Sequence, residues 1–189
     1  MLAKIINETT EAVVAAIKGV NNILEALTET VKDQVVNVLS GAGEIAGSGV
    51  EAVASVASGA VTGASQVGTS VTDAAYNTMS GVVKGAGQVS GDVISSIRGG
   101  AQGIVQATAD TGGDIGAATV SAVQGAIDTA GSVGANTAAA AQSAVGGALD
   151  AATNVGGDAV QKVQDALLSA AALPRDVIES AIKGHDDKK

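Results

Sequence analysis

The chain of 189 residues has no cysteine, no phenylalanine and no tryptophan, and a single tyrosine, proline and histidine. Without cysteine it can form no disulfide, thiolate nucleophile or cysteine-ligated zinc site. With one tyrosine and no other such ring, it nearly lacks the side chains that each remove about 150–250 Å² from water in an ordinary core. Ala, Val, Gly, Ser and Thr dominate instead, so any core must be thin and closely approached. Basic residues are scarce as well, and the formal net charge is -9. Between Ser40 and Asp158 the only basic residues are Lys84 and Arg98. The basic stripe that nucleic acid requires is therefore missing. No run approaches the roughly 20 apolar residues of a membrane-spanning helix. The opening MLAKIINETTEAVVAAIKGV carries glutamates where a secretory signal needs unbroken apolar sequence. These absences predict a cytoplasmic protein with no transmembrane span and no nucleic-acid partner.

What the sequence does have is a period. Divided from Ile5 every eleven residues, it gives fifteen units up to Ser169 with no insertion or deletion. The first column runs Ile5, Ala16, Leu27, Val38, Gly49, Ala60, Val71, Val82, Val93, Ile104, Ile115, Ala126, Thr137, Ala148, Ala159, and only Gly49 and Thr137 depart from apolar. The seventh, from Glu11 and Asn22 to Asn154 and Asp165, is polar except at Gly99. Apolar residues recur at the fifth and eighth positions, as in Val53 and Val56, Ala64 and Val67, Ala86 and Val89, Ala130 and Val133. Spacings of four, three and four are helical. Eleven residues over three turns, about 3.67 per turn, keep such a stripe on one side of an α-helix.

The period predicts an all-α protein: an elongated eleven-residue amphipathic helix, continuous or folded into a long hairpin. Because turns usually break phase and the phase never breaks, the continuous form is the expectation. Glycine costs about 1 kcal/mol relative to Ala inside a helix, so the helix should need another copy of itself or an apolar surface to lie against. The expected contact stripe comprises Val56, Val67, Val71, Val82, Ala86, Val89, Val93, Ile97, Ile104, Ile115 and Val133. Glycines four apart, Gly59 and Gly63, Gly81 and Gly85, Gly87 and Gly91, are expected to allow close helix packing. Along the chain, residues 1–40 form a charged, helix-favouring segment and 41–158 the glycine-rich body. Residues 159–183 form a C-terminal helical segment broken at Pro174, and 184–189 a polar tail.

Segments such as VVKGAGQVSGDVISSIRGG and ATNVGGDAVQKV give residues 5–169 a texture that resembles the eleven-residue repeats of perilipins and synucleins. The resemblance implies a chain that becomes helical on a lipid surface. Those families flank the apolar stripe with lysine, whereas here the polar columns are Asp, Asn, Gln and Ser, which points to neutral lipid, a granule surface or self-association. The repeats are more distantly similar to late-embryogenesis-abundant proteins, which are far more charged, and to glycine-zipper proteins.

No constellation points to catalysis, a cofactor or a metal. Gly81, Gly85 and Gly87 imitate a dinucleotide loop, but no strand precedes them and they keep the repeat phase. His185, beside Asp186 and Asp187, reads as a solvated tail, and Asp110 and Asp114 as a solvated helix face. The sequence thus predicts a non-enzymatic structural protein that self-assembles into a bundle, sheet or filament, or coats a lipid or granule surface. The alternative is a desiccation or cold protectant.

Overall fold

The computed structural model describes residues 2–17, 22–41, 46–89 and 92–187. Among the described residues it is all-helical: α1 (Leu2–Ile17), α2 (Ile23–Gly41), α3 (Ala46–Gln66), α4 (Val71–Gln88), α5 (Val93–Asp110), α6 (Ile115–Ser132), α7 (Thr137–Val155), α8 (Ala159–Ser169) and α9 (Arg175–Asp186). Neither the continuous helix nor the long hairpin forms. The odd-numbered helices pack side by side in one layer and the even-numbered helices in a second, with each helix also touching its sequence neighbours across the layers. Within a layer the helices are parallel. Ile6 and Thr9 face Gly59, and one turn on Thr10 and Val13 face Gly63.

The reason for the correction lies in the turns. From α4 to α8 the helices begin at Val71, Val93, Ile115, Thr137 and Ala159, always twenty-two residues apart. Each helix and its turn together consume two eleven-residue units, so the chain reverses direction without losing phase. The signals that stop and restart it are local. Gly68, Gly112, Gly134 and Gly156 have φ of 80°, 71°, 76° and 79°, a left-handed conformation that glycine adopts without a Cβ penalty. Beside the first three, Thr69, Gly113 and Ala135 donate backbone hydrogen bonds to the carbonyls of Ala64, Thr108 and Ala130. These bonds close the preceding helix in a Schellman motif. Two residues after each of those glycines comes a cap. The side chains of Ser70, Asp114 and Asn136 accept from the N–H groups of Asp73, Ala117 and Ala139. Asp92 does the same for Ser95 at 3.0 Å. Asp158 occupies the same place before α8 but its carboxylate pairs with Lys162 at 3.1 Å.

The core runs between the layers as one cluster, from Val13 and Leu27 through Met79, Ile97 and Ile104 to Leu149, Leu167 and Ile178. Its side chains are mostly Ala and Val. Two of the buried threonines return their hydroxyls to their own helix. Thr108 donates to the carbonyl of Ile104 and Thr119 to that of Ile115, both at 2.8 Å.

Candidate functional site: the glycine seams and a polar cleft

The five same-layer junctions from α1–α3 to α5–α7 are seams at which one helix backbone meets another. Gly59, Gly81, Gly103, Gly125 and Gly147 recur every twenty-two residues, one on each helix from α3 to α7. A Cβ added at these positions would lie 2.6 Å from the carbonyl oxygen of Ile6, 2.7 Å from Thr28, 2.0 Å from Ala54, 2.7 Å from Tyr76 and 2.3 Å from Arg98 respectively. A methyl group at such distances overlaps the oxygen, so only glycine permits this approach. Small hydroxyls reinforce the seams with a constant separation in sequence. Thr10 donates to the carbonyl of Gly59, Thr129 to the hydroxyl of Ser80 and Ser143 to the carbonyl of Ile94, each across forty-nine residues.

The packing role expected of Gly59, Gly63, Gly81 and Gly85 therefore corresponds to contacts with α1 and α2 of the same chain. Gly87 faces Val133 at the end of α6 rather than a neighbouring helix backbone. Gly91 lies outside the described residues. Gly125 and Gly147 have no glycine four residues away, so a search for spaced pairs passes over them; their twenty-two-residue recurrence was the available signal.

The expected contact stripe is placed inside the protein. Val56, Val82, Ala86, Ile97 and Ile104 are fully buried. Val67, Val71, Val93, Ile115 and Val133 are partly buried and pack on the core, and Val89 is half-buried at the end of α4. Intrachain neighbours occupy the stripe, so it is not a free surface. The need for something apolar to lie against is met by folding back.

At the C-terminal end of the odd layer, α5, α7 and α9 enclose a cleft of 590 Å³. Asp150 on α7 is its hub. One carboxylate oxygen accepts from Arg98 Nη2 at 2.5 Å and from Gln102 at 3.4 Å, and the other lies 3.3 Å from Nε2 of His185. The His185 side chain is only 11% exposed. This corrects the reading of a solvated tail from residue 184, because α9 continues through Asp186 and brings His185 onto α7. The described residues contain no group of three His, Cys, Asp or Glu side chains placed to hold a metal. Elsewhere, Tyr76 on α4 donates to Asp128 on α6 at 3.1 Å. Partial burial, then that bond to a carboxylate, raises its phenol above the usual tyrosine range.

No protein-family model matches the chain, and no curated protein matches it in sequence. Among the described residues no helix is long and apolar enough to cross a membrane.

Proposed function

We propose that this chain is a non-enzymatic structural protein, cytoplasmic, that works as a preformed two-layer helical slab and associates with further copies of itself. The observation that carries the reading is the series of five seam glycines. It devotes the repeated part of the chain to holding its own helices together and draws the apolar stripe into that packing. A lipid coat of the perilipin kind would need the stripe turned outward, so the same observation favours self-association over a coat. Association through the ends of the slab is also disfavoured. Continued back by twenty-two residues, towards the N-terminal end, the glycine series falls on Asn37, which is exposed. That leaves the broad outer faces. The face of α3, α5 and α7 carries neutral polar groups such as Ser58, Gln102 and Gln106, with few charges to repel a second slab.

The test is far-UV circular dichroism and sedimentation velocity on dilute protein, with and without neutral phospholipid vesicles. The expected result is strong helicity in buffer alone, a cooperative melt, no gain with vesicles, and a sedimentation coefficient that rises with concentration. Helicity only with vesicles would make the protein a surface coat, and helicity in neither sample would favour the protectant reading. A helical species that stays monomeric at every concentration would defeat self-association.

A further inference from the structure

We propose that the cleft between α5, α7 and α9 is a binding site for a small neutral polyhydroxylated molecule, of the sugar or polyol class. The cleft exists because the regular stack ends there. Its volume of 590 Å³ lies in the range of small-molecule sites. The floor is kept open by glycine: a Cβ at Gly146 would come within 3.1 Å of Arg98 Nη1, and one at Gly184 would meet nothing within 4 Å. The Arg98 guanidinium can therefore lie across α7.

Charge decides the class of ligand. Arg98 and Asp150 are already paired, so the guanidinium and carboxylate at the centre sum to zero. An anion would bring its charge beside the Asp150 carboxylate in a chain of net charge -9, and a cation would face the guanidinium. The Arg98 side chain is 42% exposed, and its fork keeps donors beyond the one given to Asp150. Gln142, Asn154 and Ser180 line the same cleft and add both donors and acceptors. A hydroxyl, which donates one hydrogen bond and accepts two, matches a lining that is mixed in this way and neutral overall. The site has no aromatic platform, so binding is weak and rests on counted hydrogen bonds.

The experiment is a titration of the ¹⁵N-labelled full-length protein with trehalose, followed by amide shifts, with gluconate as the charged comparison. Saturable shifts concentrated at Gly146, Gly184 and the residues around Arg98 are expected, with gluconate weaker. Gln142→Leu, on the exposed rim, should weaken binding about threefold to tenfold, the factor of one neutral hydrogen bond, without changing the melting curve. Arg98→Gln should abolish the response. Because Arg98→Gln could also loosen α9, the Gln142→Leu comparison decides if that variant melts early. Shifts that never saturate and spread over the whole surface would overturn the proposal, as would a Gln142→Leu protein that binds like wild type. Tighter binding of gluconate than of trehalose would overturn the neutral-ligand assignment.

Discussion

The middle of the molecule and its C-terminal end solve the same packing problem in opposite ways. From α3 to α7 each helix offers a glycine to the preceding helix of its layer, and contact is made backbone to backbone. The last two helices, α8 and α9, and the turn between them make their contacts with bulk: Leu167, Leu173, Ile178 and Ile182 are buried there. The glycine of α9, Gly184, meets no neighbour within 4 Å. At the α6–α8 junction the glycine is supplied by the earlier helix instead, where a Cβ on Gly116 would lie 2.8 Å from the Ala166 side chain. Removing atoms should therefore damage the end, and adding atoms should damage the middle.

The largest effect is expected from Leu167→Ala, which should cost about 2–5 kcal/mol by leaving a cavity under the C-terminal cap. Chemical denaturation checks it, and a loss below about 1 kcal/mol would mean that α8 is not held by side-chain bulk. Next, Gly103→Ala should cost about 1–3 kcal/mol through overpacking, with the seam forced open at the carbonyl of Ala54. An unchanged melting temperature for this variant would break the comparison at its centre. Smaller again is Asp92→Ala, about 1 kcal/mol for a lost helix cap. The Asp92 carboxyl is held below the ordinary range first by the Ser95 hydroxyl and then by the Ser95 N–H. A carboxyl lowered on folding contributes stability above its unfolded value, and that stability is lost as pH falls through the lowered one. Stability measured between neutral and acid pH should thus decline less steeply in the variant. The smallest change should be Gly184→Ala, a gain of less than about 1 kcal/mol from helix propensity. A loss there would reveal a neighbour that the glycine must accommodate.

The eleven-residue columns made the helices and their inward faces legible, and Val82, Ile104 and Ala126 are buried as their column requires. What they concealed was the reversal of the chain. A turn that completes a multiple of the period leaves no scar in a column count, so unbroken phase reads as a continuous rod. The turns were nonetheless written in the sequence, as Gly68-Thr69-Ser70, Gly112-Gly113-Asp114 and Gly134-Ala135-Asn136, forty-four and twenty-two residues apart. Each places a glycine that closes one helix two residues before a side chain that caps the next. The cleft was less legible. Arg98 and Asp150 are fifty-two residues apart and His185 lies thirty-five beyond Asp150. Only the stacking of parallel helices brings them together, and no local spacing encodes it.

The turns that keep phase also make the slab extensible. A gene segment encoding two helices and two turns could be duplicated or deleted, and every seam glycine would still meet a carbonyl in the preceding helix of its layer. Such a protein acts as its own ruler. Its length is counted in whole helix pairs, and its thickness stays at two layers however many pairs it gains. The terminal helices, which lie outside the seam-glycine series, need be written only once. Selection could in this way set how far the molecule reaches without redesigning how it holds together.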